Sequence, residues 1–217
     1  MEHVILLHGI GAGAKTLLPL EIKLKRAEYI THNWSYTVRG KSLTESIDIL
    51  WEKVNMLFGP KHTVHFIGHS LGGVLARGIL CKGIRAKLGK LITLGSPHRG
   101  AAAGNALFGA GKKAFSFAFG CRIVDDLMWE SSVSDIPTPP VCTGTISGTK
   151  RFTWTNPISW VVSRILDKSH DGFICVESTL LEGAESLLLE VDHMFMVFDR
   201  EVTNQAIHFL RYGTFNR

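Results

Sequence analysis

Residues 66–76 read FIGHSLGGVLA, which sets Ser70 between Gly68 and Gly72 in a G-x-S-x-G pattern. The apolar run TVHFI leads into it, and GGVLARGILCKG leads out with Val74, Leu75 and Ile79 available to bury. Strand, sharp turn and helix in that order are what a nucleophile elbow requires. A serine on so tight a turn adopts strained backbone angles, and flanking residues without a Cβ let strand and helix approach closely. The hydroxyl is thereby held exposed. The helix amino terminus behind it supplies unpaired N–H groups and a positive dipole end, with the Leu71 N–H placed to donate to a developing oxyanion. The chemistry such a turn serves is attack on a carbonyl carbon.

A second stretch, VILLHGIGAGAKT at residues 4–16, competes for a different chemistry. Gly9, Lys15 and Thr16 stand in the register of a phosphate-binding G-x-x-x-x-G-K-[ST] loop, but Ala14 replaces the second glycine. Gly9, Gly11 and Gly13 give G-x-G-x-G, without the further glycine that a dinucleotide fingerprint needs for helix packing. No second acidic strand end stands out as a metal-binding aspartate of a nucleotide hydrolase. His8-Gly9 at the end of a first strand suits another use, a loop whose N–H groups face an oxyanion.

The elements that must carry these loops alternate along the chain. Short runs rich in Val, Ile and Leu read as strands at 3–8, 28–34, 62–68, 90–95, 140–147 and 186–191, with helical patterns between them. This is the signature of α/β architecture, a mostly parallel sheet covered by helices on both faces. SLTESIDILWEKVNMLF opens on Ser42 three residues before Glu45, a capping box, and places Ile47, Leu50, Val54 and Leu57 on one face. EVTNQAIHFLRYG reads as a closing helix stopped by Gly213. Residues 99–136 and 149–168 exceed this framework on its carboxyl side, where open α/β sheets bind ligands, so they are expected to form a cap or pocket walls.

Composition narrows the class. The chain has 217 residues and is 45% hydrophobic, enough for one domain with a sizeable core. Its net charge of +5 is spread among 19 acidic residues, a solvated surface rather than a nucleic-acid footprint. Cys81, Cys121, Cys142 and Cys175 are far apart, with neither C-x-x-C nor zinc spacing, and read as reduced thiols. No basic n-region precedes the first strand and no apolar run reaches the roughly 18 residues of a spanning helix, so a cytoplasmic protein is expected.

HGIG, GHSLGG and LGSPHRGA together resemble α/β-hydrolases of the lipase and esterase type. HDGFICVEST, followed by DHMFMVFDREVTNQAIHFLRYGTF, is similar to the end of compact bacterial lipase-like hydrolases, and the resemblance spans nearly the whole chain. It implies Ser70 as nucleophile, Asp171 as acid and His193 as base, in the chain order of that fold. The oxyanion hole would use the Ile10 and Leu71 N–H groups. Asp167 and Asp192 compete with Asp171, although Asp192 adjoins His193 and successive side chains diverge. His8, His69, His98, Phe108 and Phe115 are candidate substrate-lining residues. The plainer roles are packing beside the serine turn for His69, loop capping for His98, and core for the stripe Phe108, Phe115, Phe117 and Phe119. A metal on His170, Asp171 and His193 would leave the serine motif unexplained. The resemblance thus implies a cofactor-free serine hydrolase for carboxylic esters of lipid-like character, with no nucleic-acid partner and a peripheral membrane contact through the phenylalanine stripe with Lys112 and Lys113. Thioester, amide and acyl-transfer chemistry use the same triad, and a binding module with an idle triad keeps the same fold.

Overall fold

A computed structural model of the chain describes residues 2–101, 121–127, 133–154 and 157–217. Phe108, Phe115, Phe117, Phe119 and the two lysines between them lie outside these residues, as does much of the first expected cap segment. The strands are β1 (Glu2–Leu7), β2 (Ile30–Trp34), β3 (Thr63–His69), β4 (Lys87–Leu94), β5 (Thr143–Gly148) and β6 (Glu185–Leu189). They form one sheet in the order β2-β1-β3-β4-β5-β6, every neighbouring pair parallel. The helices are α1 (Leu18–Arg26), α2 (Leu43–Leu57), α3 (Leu71–Cys81), α4 (Cys121–Asp126), α5 (Pro157–Ile165), α6 (Val176–Thr179) and α7 (Arg200–Tyr212).

Both faces of the sheet are buried, which is why its strands read as continuous apolar runs. In β1, Ile5 and Leu7 join a core with α2 and α3, while Val4 and Leu6 join a second with α1 and α7. The expected capping box forms: the Ser42 hydroxyl accepts from Glu45 N–H and the Glu45 carboxylate accepts from Ser42 N–H. The last helix starts at Asp199, whose side chain accepts from Val202 N–H, and ends at Gly213 in the left-handed region, φ +78°.

Each strand shifts by one to three residues from expectation at one end or both, most at β4, which begins at Lys87 rather than 90, and at β5, which begins at Thr143 rather than 140; two shifts have a visible local cause. Strand β2 begins at Ile30 rather than 28, because Glu28 (φ +70°) turns the chain and Tyr29 N–H still reaches back to the Leu24 carbonyl. Strand β6 stops at Leu189 rather than 191, where Val191 N–H turns back onto the Leu189 carbonyl.

With all six strands parallel, their carboxyl ends share one edge. His8 follows β1, Ser70 follows β3, Gly95 follows β4, and the loop after β6 carries His193. No helix among the described residues is long and apolar enough to cross a membrane.

Candidate active site

Ser70 sits between β3 and α3 with φ +54° and ψ −124°, one of two non-glycine residues with positive φ among those described. That conformation is sterically costly for a residue with a Cβ, and it persists only where the surroundings hold it. Here Ser70 N–H donates to the Leu94 carbonyl at 2.8 Å, and its own carbonyl accepts from Gly73 N–H at 3.1 Å. The crossing of α3 over β1 leaves no room for side chains: a Cβ on Gly72 would lie 2.1 Å from the Leu7 carbonyl oxygen. The G-x-S-x-G pattern is therefore a packing requirement at its second glycine as much as a chemical one.

Asp171 and His193 meet directly. His193 Nδ1–H donates to Asp171 Oδ2 at 2.7 Å, and the two backbones are joined by His193 N–H to the Asp171 carbonyl at 2.8 Å. The other carboxylate oxygen, Oδ1, accepts from the N–H groups of Phe173 (3.0 Å) and Ile174 (2.7 Å), so the turn that contains Gly172 orients the acid. Both side chains are buried. Since Nδ1 carries the proton given to Asp171, the ring's Nε2 keeps its lone pair, as a general base requires. Phe173 stacks on the imidazole, ring centroids 5.3 Å apart.

The competing carboxylates are placed otherwise. Asp192 turns away to accept from Met194 and Phe195 N–H through Oδ1, both at 2.9 Å, and Asp167 is exposed.

The loop after β1 lies against the serine: a Cβ on Gly9 would come within 3.1 Å of Ser70 Cβ. Ala12 N–H closes the loop on the Gly9 carbonyl, with Gly11 at φ +69°. His8 shapes this turn. Its Nδ1 lies 2.8 Å from the Gly9 carbonyl, so Nδ1 bears the hydrogen, and Nε2 accepts from Tyr36 N–H at 3.4 Å. Tyr36 stacks on the ring at 4.2 Å and donates its hydroxyl to the His8 carbonyl. Burial pushes the His8 pKa down and the Tyr36 pKa up, so both stay neutral. Ile10 and Leu71 flank a cavity of 330 Å³ that His8, Tyr36 and Arg39 also line. The P-loop-like tail of the segment makes a short 3-10 turn, Ala14–Leu17, in which Thr16 spends its hydroxyl on the Gly13 carbonyl at 2.8 Å.

Of the candidate lining residues, His8 borders this cavity. His98 does not line a mouth. It is 1% exposed, its Nε2 lies 3.1 Å from Thr93 Oγ1, and its carbonyl accepts from the buried Arg77 at 2.9 Å, so burial and the neighbouring guanidinium push its pKa well down. It belongs to the loop that follows β4, with its ring turned inward onto Thr93. His69 is likewise buried and turned toward His193. Sequence reasoning missed two glycines that make space for the acid and base: a Cβ on Gly95 would lie 3.0 Å from both Asp171 Oδ2 and His193 Nδ1, and one on Gly148 would lie 2.6 Å from Asp171 Cβ. Gly95 closes the predicted strand 90–95 and Gly148 directly follows the predicted strand 140–147, which was the available signal. No group of three or more His, Cys, Asp or Glu that could hold a metal occurs among the described residues. Cys81, Cys142 and Cys175 are free.

Residues 3–138 match the model of the family described as palmitoyl protein thioesterase. Among solved structures, the mature form of the lipase BlEst2 from Bacillus licheniformis superposes with a TM-score of 0.78 at 16% identity, covering 98% of this chain and 92% of that one. An esterase from Exiguobacterium antarcticum gives 0.64 at 16% identity, with 97% and 92% covered. A methylesterase, MES16, from Arabidopsis gives 0.54 at 18%, with 97% and 98% covered. These likenesses show the α/β-hydrolase fold. No curated protein sequence matches the chain.

Proposed function

Since the chain belongs to the palmitoyl protein thioesterase family, we propose that it is a serine hydrolase acting on carboxylic esters, lipid-like ones above all, through Ser70, His193 and Asp171. The observation that carries this reading is the buried Asp171–His193 pair set at the same sheet edge as a serine held at φ +54°. His193 Nε2 takes the Ser70 proton as Oγ bonds to the acyl carbon, and the carbonyl oxygen becomes an oxyanion facing the Ile10 and Leu71 N–H groups. Collapse of that intermediate breaks the bond to the leaving oxygen, which departs as an alcohol with the proton from His193. Water then attacks the acyl-enzyme by the same route, releasing the acid and restoring Ser70. Asp171 fixes the ring's tautomer and stabilises the imidazolium.

The lipid-like preference is supported by the described part of the second insertion. Phe152, Trp154 and Trp160 make mutual ring contacts at 5.4–5.7 Å while all three remain exposed, Trp154 by 79%. We assign both insertions, 99–136 and 149–168, to the walls of the site. In the first, α4 is tied to α2 by Leu43 N–H donating to Asp126 Oδ2 at 2.7 Å and by an Arg122–Glu45 ion pair. The family match favours a second substrate, an acyl thioester, attacked by the same steps with a thiol leaving.

Labelling with a fluorophosphonate followed by intact-mass analysis tests the nucleophile: one adduct on Ser70, absent in Ser70→Ala, is expected. A series of p-nitrophenyl esters and matched thioesters of increasing chain length then ranks the substrates. A profile peaking at acetate removes the lipid-like reading. Folded protein with neither adduct nor turnover removes the enzyme reading in favour of a binding module.

A further inference from the structure

We infer that His69, the residue before the nucleophile, is a positioning residue for the base, because its ring N–H holds the His193 carbonyl and so ties the base loop to the nucleophile's own strand. This rests on the triad reading above. His69 is the last residue of β3, and its Nε2 lies 2.9 Å from the His193 carbonyl oxygen with both groups buried. A carbonyl can only accept, so Nε2 bears the hydrogen and Nδ1 keeps a lone pair. Nδ1 faces the oxyanion loop, where a Cβ on Gly9 would come within 3.3 Å of it. The imidazoles of His69 and His193 tilt against one another with centroids 5.0 Å apart.

His193 has three anchors among the described hydrogen bonds. Two of them, through N–H and Nδ1, run to Asp171 and fix the base relative to the acid. They say nothing about where the pair stands relative to Ser70. The third comes from His69, which is covalently joined to Ser70. One peptide unit and one hydrogen bond therefore set the separation of base and nucleophile. The donor also has a fixed charge: burial, then the neighbouring His193, depresses the His69 pKa to about 3, so the ring stays neutral and its tautomer does not change across the range in which an esterase works. A packing residue of the same size would fill the space without holding the carbonyl.

His69→Leu keeps the bulk and removes the donor, whereas His69→Gln offers an amide N–H at similar reach. For His69→Leu we expect kcat on a short p-nitrophenyl ester to fall about 10- to 100-fold, the scale of a misplaced catalytic group, with KM nearly unchanged. Fluorophosphonate labelling of Ser70 should slow by a similar factor, and His69→Gln should recover most of both rates. Wild-type kcat in a folded His69→Leu protein, or equal losses in the Leu and Gln variants at unchanged Tm, overturns the inference. A readout that needs no variant is the nitrogen–proton NMR correlation of histidine-labelled wild-type protein. The Nε2–H tautomer of His69 is expected, and the Nδ1–H tautomer overturns the contact. Wild-type protein that forms no Ser70 adduct instead sinks the triad reading, and leaves the tautomer result to judge the contact by itself.

Discussion

The two ends of the sheet are both rich in histidine, and they use it in opposite ways. At the amino end, His3, His32 and His62 cluster around Phe58, with His3 Nδ1 and His32 Nε2 3.0 Å apart. At the carboxyl end, His193 Nδ1 is 2.7 Å from a carboxylate oxygen. A histidine bonded to another neutral ring shares one hydrogen and gains no orienting charge. One bonded to a buried carboxylate has its tautomer set and its imidazolium stabilised. The amino end does hold a carboxylate, but His65 Nε2 meets Glu2 at 3.6 Å, and the Glu2 side chain is 55% exposed against 1% for Asp171. On the proposed reading, what separates the base His193 from the histidines of the amino end is the burial of its acidic partner.

The largest effect should come from the nucleophile. Ser70→Ala is expected to lower kcat by about a million-fold, the cost of removing the serine of such a unit. Its circular dichroism should be unchanged, because alanine inherits the same strained turn. Next comes the acid: Asp171→Asn should cost roughly 10⁴ in kcat, since an amide no longer selects the tautomer. Asp192→Asn should cost little, because that side chain serves the turn at Met194 and Phe195. Comparable losses in the two variants would break the contrast drawn above.

A smaller loss should follow from crowding the pair rather than from changing its charge. Gly95 holds φ +55°, and an added Cβ would stand 3.0 Å from both Asp171 Oδ2 and His193 Nδ1. Gly95→Ala is thus expected to reduce kcat by about a hundredfold through displacement of the base. Steady-state kinetics showing a change in KM alone would place the disturbance in the pocket instead.

Much of this end was legible in the sequence because its devices are local. The elbow needs glycines at fixed offsets from Ser70, the capping box spans Ser42 to Glu45, and Asp171 sits in a turn that Gly172 announces. The number of strands and their alternation with helices followed from short apolar runs, and each face found its own core. The hydrogen-bond partners of His69 and His98 were not legible. Whether a histidine faces a cavity, a carbonyl or a threonine depends on residues 124 positions away for His69, and for His98 on the inward turn of its loop toward Arg77. Gly95 and Gly148 escaped notice for the same reason: their neighbour Asp171 comes from a different part of the chain.

The smallest effect on activity, and the sharpest on stability, should come from the amino end. Burial lowers the pKa of His32, and burial together with the facing His32 and His62 lowers that of His3. The charged groups facing His3 include the chain's amino terminus, which acts in the same direction. A histidine whose folded-state pKa lies below its unfolded value of 6.5 binds its proton more readily when unfolded. Stability from this pair is therefore complete above pH 6.5 and is lost as pH falls from there through the depressed folded-state values. The same sign holds for His8, His65, His69, His98 and His170, so the whole fold should soften in acid. His32→Asn removes one member of the amino-end pair and relieves the other of its neighbour's charge. Measured by thermal melts between pH 5 and 8, its Tm should fall less steeply on the acid side than that of the wild type, with ester turnover at pH 8 unchanged. An equally steep fall would mean that the acid sensitivity belongs to the other histidines whose pKa burial lowers, His8, His65, His69, His98 and His170.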